Sequence, residues 1–421
     1  MLRFAAKFPI LVGASWYFLE KFIRLVGAFL IGAWVARHLG PENYGALAYA
    51  LALVAVLGFL GSLGIESLVV RDLVEAQRDA RSILSTYFFI RLGGALLVPT
   101  LATGYLMVTH AGDTLLLLLA ALCSSAVMFG ACDTADCWLQ AQNQARKTSL
   151  IRLLAFAVGA ASRCLLILIN APVAWFAAVV MLESAVIAAL YLRLLHGHGL
   201  TPRWSHVSLA EFKHLVVAGK MMVLSGLTVA VYSKIDVLVV GALLSKEAVG
   251  AYAIAASMCA AWNMVGMSVA QAWAPRISQL RIQSHRDYLR AMRQMVLTVG
   301  AISISGALVI SWCSEFIFAM LLGPSYMHGA AVLRVLVWSS VFVFLGVATS
   351  QIIVNERIYW VSMLRTLIGL IFCVIAILLA PSRWDTVDFA YLMVCTSALA
   401  TSSIAFSTKA RATLRLIINP S

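Results

Sequence analysis

The sequence predicts an all-α, polytopic membrane protein of about twelve transmembrane helices. Three observations predict it. Ala, Val, Ile, Leu, Met, Phe, Trp, Tyr and Cys supply 62% of the 421 residues, against about 45–50% apolar residues in soluble domains. Charged residues supply 12%, roughly half the soluble norm. The apolar residues also gather in runs of about 20 or more, the length a helix needs to cross ~30 Å of hydrocarbon. A soluble globule of this size cannot hide so much apolar surface from water. That excludes an ordinary cytosolic enzyme, a disordered chain and a secreted disulfide scaffold. The runs are too long for barrel strands and lack period-two alternation, so helices are expected to satisfy their backbone in lipid.

The expected spans are 9–36, 44–68, 83–108, 114–138, 149–169, 172–195, 214–243, 249–273, 292–322, 330–354, 358–380 and 385–407. The first follows Met1-Leu2-Arg3 and Lys7 and begins like a secretion signal. Glu20, Lys21 and Arg24 then interrupt it, and no small-residue cleavage site follows at the right distance, so it is expected to stay as a helix. Gly40-Pro41-Glu42-Asn43 turns the chain into the second span. Gly58-x-x-Gly61-x-x-Gly64 lies inside that span with no strand before it, so it reads as helix packing or flexing and not as a phosphate loop. Asn170-Ala171-Pro172, Gly323-Pro324-Ser325 and Pro381-Ser382 punctuate later junctions.

The longest polar connection inside the bundle, about 196–213, follows the sixth span at mid-chain. Tyr44-Gly45-Ala46-Leu47-Ala48 opens span two, and Val249-Gly250-Ala251-Tyr252-Ala253 opens span eight like an echo. Together they suggest two six-helix lobes in the same orientation, 1–200 and 201–421, a common transporter plan.

Topology follows from the basic residues of the short loops. With the N-terminus in the cytoplasm, the inside segments hold Arg3, Lys7, Arg71, Arg78, Arg81, Arg146, Lys147, Arg193, Arg203 and Lys213. They also hold Arg276, Arg281, Arg286, Arg290, Arg357, Lys409, Arg411 and Arg415, which makes 18. The outside segments hold Arg37, Lys246 and Arg383, which makes 3. This asymmetry predicts N-in/C-in topology and accounts for most of the net charge of +13, which is therefore not read as a nucleic-acid signal. Trp34, Trp138, Trp175, Trp204, Trp273, Trp360 and Trp384 fall near span ends, as an interfacial belt does. The eight cysteines sit in apolar stretches without a C-x-x-C and read as small buried hydrophobes. His196, His198, His206 and His214 read as a solvated linker, so no metal site is expected.

Chemistry should lie where ionisable residues reach membrane depth, because lipid tolerates them badly. Arg24 falls near the midplane of the first span. Glu20 and Lys21 lie a turn before it at helical spacings that place all three on one face. Arg163 in span five and Glu183 in span six also fall near midplane, lining a wet cavity or forming a structural pair between neighbouring helices. Arg91, Lys220 and Arg365 lie about two turns inside the cytoplasmic boundary. Lys234 and Asp236 lie toward the outer end of span seven. Glu66, Asp133, Asp136, Arg152 and Arg334 are shallow and read as interfacial anchors. The deep set is biased to cations, and guanidinium groups match phosphate oxygens in bidentate geometry.

Several segments carry a family resemblance. They are Ala36-Arg37-His38-Leu39-Gly40-Pro41-Glu42-Asn43-Tyr44-Gly45; Ile235-Asp236-Val237-Leu238-Val239-Val240-Gly241 with Ala248-Val249-Gly250-Ala251-Tyr252; and Leu322-Gly323-Pro324-Ser325-Tyr326 with Val332-Leu333-Arg334-Val335-Leu336. Trp138-Leu139-Gln140-Ala141 and Ala274-Pro275-Arg276-Ile277-Ser278 add to them. In this order they resemble the polysaccharide-biosynthesis (Wzx-type) flippases of the multidrug/oligosaccharidyl-lipid/polysaccharide exporter superfamily.

The resemblance implies two lobes around a central cavity, alternating access, and a transporter, not an enzyme, in the bacterial inner membrane. It implies as substrate an undecaprenyl-pyrophosphate-linked oligosaccharide moved to the periplasmic leaflet for O-antigen or exopolysaccharide assembly. No cofactor is implied. Membrane lipids are implied partners, with a polysaccharide polymerase and a chain-length regulator as further candidates. Arg24, helped by Lys21, Arg91, Arg163 and Lys220, is then expected to bind the pyrophosphate, and Glu183 or Asp236 to couple ions. The same two carboxylates keep a cation-coupled multidrug exporter of the superfamily open. Peptidoglycan-precursor flippases usually have fourteen helices, which twelve spans argue against. A membrane polymerase or ligase would need a long outside loop, and none is expected here.

Overall fold

The structure, a computed structural model, describes residues 9–75, 79–355, 358, 360–379, 384–407 and 411. Arg3, Lys7, Arg78, Arg357, Arg383, Lys409, Arg415 and the Pro381-Ser382 turn lie outside the described residues. Those described form helices and connections with no strand among them. The chain divides into two compact units, Met1–Ala230 and Val231–Ser421.

In the first unit, α1 (Pro9–Leu57) is broken at Gly40, whose φ of 74° and ψ of 166° are not helical. Glycine meets no steric penalty there, and Pro41 opens the second arm. The chain continues through α2 (Phe59–Ser62), α3 (Glu66–Val74), α4 (Ala80–Thr109) and α5 (Thr114–Phe129). A 3-10 turn, Gly130–Asp133, leads into α6 (Thr134–Ala141), then α7 (Ala145–Leu168) and α8 (Val173–Gly197). Asp79 and Asp113 cap α4 and α5 by accepting from the amides of Arg81 and Leu116. Helix α5 packs on α8 and α4, and α7 packs on α1 and α8. Gly94 on α4 lets the backbone of Leu60 approach so closely that a Cβ there would stand 1.9 Å from its carbonyl oxygen.

After a 3-10 turn, Trp204–His206, comes helix α9 (Leu209–Tyr232), whose last two residues, Val231 and Tyr232, belong to the second unit. The connection before α9 is docked, not free: Ser85 Oγ accepts from the Arg203 amide and Thr86 Oγ1 from the Ser208 amide. Trp204 meets the Phe89 ring edge-on at 4.8 Å.

The second unit holds α10 (Ile235–Leu243), α11 (Lys246–Gln283), α12 (His285–Leu321), α13 (Met327–Leu336), α14 (Ser339–Asn355), α15 (Trp360–Leu378) and α16 (Thr386–Ser402). Helices α11, α12, α13 and α14 pack on one another, and α16 packs on α13, α14 and α15. Tyr288, Met292, Met295, Val299, Phe344 and Ile352 belong to one buried apolar cluster there.

Among the described residues, ten helices are long and apolar enough to cross a membrane, and eleven if the pair Pro324–Leu336 and Ser339–Ile353, bent by 43°, is one span. The first of the ten, Leu19–Val74, is 56 residues long. That is far beyond one crossing at ~1.5 Å per residue. Its two arms about Gly40, taken separately, make twelve. Sequence reading misses the interruptions, because the interrupted stretches are themselves apolar. Leu63 (φ 57°) and Gly64 (φ 65°) break the second expected span, and the 3-10 turn Gly130–Asp133 interrupts the fourth. The expected 214–243 span is divided at Ser233-Lys234.

Two expectations about side chains change. Trp138 is buried, its ring 4.6 Å from that of His198, so it is a core residue and not part of a belt. Trp34, Trp175, Trp204 and Trp360 are exposed. Cys123, Cys132, Cys137, Cys259 and Cys373 are buried, but Cys395 is exposed. It lies with Tyr391 and Leu399 at i, i+4 spacing on the open face of α16.

Candidate functional site

On the first arm of α1, Arg24 Nη1 donates to Glu20 Oε1 at 2.8 Å, one helical turn away. Glu20 is 1% exposed, and its second oxygen finds no partner among the described residues. Lys21 is exposed. The face expected to carry all three is thus split, because neighbours in a helix point about 100° apart.

Arg163 on α7 and Glu183 on α8 form a pair at 2.9 Å, with side chains 20% and 19% exposed. Arg91 on α4 is buried among Tyr87, Glu66 and Asp133. Its Nη1 lies 3.4 Å from the Tyr87 hydroxyl and 3.8 Å from Glu66, and its Nη2 lies 3.4 Å from Asp133. The interruptions of the second and fourth spans bring these groups together, since Glu66 opens α3 and Asp133 closes the 3-10 turn. Lys220 on α9 is exposed.

Two further clusters in this unit have no counterpart in the sequence reading. Asp136 Oδ1 accepts from Thr148, and its Oδ2 accepts from Arg152 at 2.8 Å and Gln140 at 3.1 Å. Asp136 and Arg152, read from sequence as interfacial anchors, instead join α6 to α7. Asp72 is buried and receives His214 Nε2 at 2.9 Å and Arg71 at 3.3 Å. His214, read as part of a solvated linker, thereby ties α9 to α3. Pairs 142 residues apart leave no local signature in the chain.

In the second unit, Asp236 opens α10. Its Oδ1 accepts from the Val237 amide at 2.8 Å, and its Oδ2 lies 3.4 Å from the buried Tyr252 hydroxyl. Lys234 precedes the helix and is exposed. Arg365 on α15 donates through Nε to the Ala400 carbonyl and through Nη1 to the Gly346 carbonyl, each at 3.3 Å.

The deep cations therefore fall into two groups. Arg24, Arg91 and Arg163 each face a carboxylate. Lys21, Lys220 and Arg365 have no carboxylate within 4.0 Å among the described residues. A cation without a local counter-charge can attract an anion; a paired one must first exchange partners.

Apolar helices of spanning length, packed in bundles with ion pairs between them, define a multi-pass α-helical membrane protein. The chain belongs to the polysaccharide biosynthesis protein family, whose model matches residues 10–281. A second model, MatE, matches residues 222–380. No curated protein matches the sequence.

Solved structures share the fold over nearly the whole chain. One is an inward-facing multidrug resistance MATE family transporter of the MOP superfamily, at 15% identity and a TM-score of 0.69, covering 94% of this chain and 96% of that one. Another is the lipid II flippase MurJ in an inward closed conformation, at 12% identity and a TM-score of 0.73, covering 97% and 92%. A third is a MOP superfamily transporter from Pyrococcus furiosus described as having a binding pocket of reverse polarity, at 15% identity and a TM-score of 0.56, covering 98% and 95%. At these identities the likeness establishes the fold.

Proposed function

We propose that this protein is a flippase of the bacterial inner membrane. It carries undecaprenyl-pyrophosphate-linked oligosaccharide units from the cytoplasmic to the periplasmic leaflet, by alternating access, for O-antigen or exopolysaccharide assembly. Membership of the polysaccharide biosynthesis family supports the pathway. The observation that carries the substrate class is the surplus of cations without carboxylate partners among the described residues, Lys21, Lys220 and Arg365, in helices otherwise apolar. Unpaired charge in such helices is costly unless a ligand uses it, and a pyrophosphate is the anionic group of this substrate.

Lys21 and Lys220 would meet the pyrophosphate first, with Arg24 supplying the donors that Glu20 leaves free. Arg91 and Arg163 would join by exchanging their carboxylates for phosphate oxygens. That exchange makes their partners part of the cycle, and Glu183 or Asp236 is the proposed ion-coupling carboxylate. The test is complementation of a deletion strain: Arg24→Ala, at normal membrane abundance, abolishes surface polysaccharide while the lipid-linked donor accumulates on the cytoplasmic side. Normal polysaccharide in that strain would refute the pyrophosphate assignment.

A second reading, a cation-coupled multidrug exporter, is favoured by the MatE match over residues 222–380 and by Asp236 within it. Drug susceptibility of the deletion strain separates the two. Hypersensitivity to organic cations with intact polysaccharide supports export; the reverse phenotype supports the flippase.

A further inference from the structure

Arg365 stands apart from the other deep arginines. Arg24, Arg91 and Arg163 are each held by a carboxylate, whereas Arg365 is held by peptide carbonyls. Its Nε and Nη1 are anchored on two different helices, at Ala400 of α16 and Gly346 of α14. Its Nη2 has no hydrogen-bond partner among the described residues, and the side chain is half-buried, so part of the guanidinium stays accessible.

The surroundings make room for the group without neutralising it. A Cβ at Gly346 would stand 2.6 Å from Nη2 and 3.2 Å from Thr401 Oγ1. One turn after Arg365, Gly369 admits the Tyr232 ring, which a Cβ would meet at 3.0 Å. Asp236, an acid of the same unit, is engaged by the Val237 amide and Tyr252. Holding two carbonyls together needs only neutral donors. The positive charge adds desolvation cost without adding to that task. An anchored guanidinium with an open nitrogen is a preorganised oxyanion receptor.

We propose that Arg365 is the centre of an oxyanion-binding site in the second unit that takes a phosphate-class ligand. Two sources share that chemistry, the phosphate of a carried lipid-linked substrate and the phosphate of an anionic bilayer lipid. The transport reading matters only for choosing between them, because binding itself is measured without transport.

The experiment uses the full chain purified in detergent, with inorganic pyrophosphate as probe and ionic strength matched by sodium chloride. Pyrophosphate is expected to raise the melting temperature of the wild type saturably. Arg365→Gln, which keeps neutral donors, is expected to lose the response. Arg365→Lys keeps the charge but not the fork and is expected to bind roughly tenfold more weakly. It also serves where the glutamine variant fails to fold. A response equal to wild type in either variant overturns the proposal. Repeating the titration in nanodiscs identifies the source. A response abolished by phosphatidylglycerol but present in pure phosphatidylcholine assigns the site to lipid phosphate; a response present in both assigns it to a substrate phosphate.

Discussion

Arg163 and Glu183 meet at 2.9 Å because a glycine lies between their helices. A Cβ at Gly159, one turn before Arg163, would stand 2.7 Å from Glu183 Oε2 and 3.1 Å from Arg163 Nη1. The pair and the close approach of α7 and α8 are one feature. Gly159→Ala is expected to push the ends of the Glu183 and Arg163 side chains aside and weaken their pair, at a cost of about 1 kcal/mol. Thermal unfolding in detergent measures it; an unchanged melting temperature would mean that the side chains move aside freely.

The same pair can be tested for energy against function. In a double-mutant cycle of Arg163→Ala and Glu183→Ala, a coupling of about 0.5–3 kcal/mol is expected for groups in direct contact. If Glu183 also couples ions, Glu183→Gln will weaken the dependence of transport on the proton gradient even where the variant stays folded. Gradient dependence identical to wild type assigns the residue a structural role alone.

Asp136 collects three donors, from Thr148, Arg152 and Gln140. Replacing it by alanine leaves a mostly buried guanidinium and a buried hydroxyl without their acceptor. The expected loss is about 2–3 kcal/mol. Asp136→Asn keeps one acceptor oxygen and should lose less. Equal losses in the two variants would show that the carboxylate charge, which both remove, and not the shape of the site, sets its contribution.

Gly306 in α12 faces the indole of Trp262, which a Cβ would meet at 1.9 Å. Gly306→Ala therefore requires the helices or the ring to shift and is expected to lower the melting temperature. Trp262→Leu in the same chain should restore part of the loss. Absence of any rescue would place the strain elsewhere.

Much of this molecule is written in its hydropathy. Twelve apolar runs, and turn formers such as Gly40-Pro41, predict spans that the helices follow. The breaks inside the spans are not written there. The run from Leu57 to Ile65 is apolar or small apart from Ser62, so an average over 20 residues cannot distinguish a helix from two helices joined by Leu63 and Gly64 in left-handed conformations. Pairing is legible only where spacing is local. Glu20 and Arg24 are one turn apart, whereas Arg91 finds Asp133 at a separation of 42 residues, at a break in the span that carries Asp133. Arg163 with Glu183 falls between these cases, since both lie near the middle of consecutive spans.

The docking of the connection onto α4 carries a lesson about which substitutions the chain can accept. Ser85 and Thr86 receive the main-chain amides of residues 203 and 208 and ask nothing of their side chains. Drift at those two positions is therefore permitted by these bonds for nineteen of the twenty amino acids. Proline alone, having no amide hydrogen, would cut the tether. The seam can change its sequence widely while staying fastened where it is.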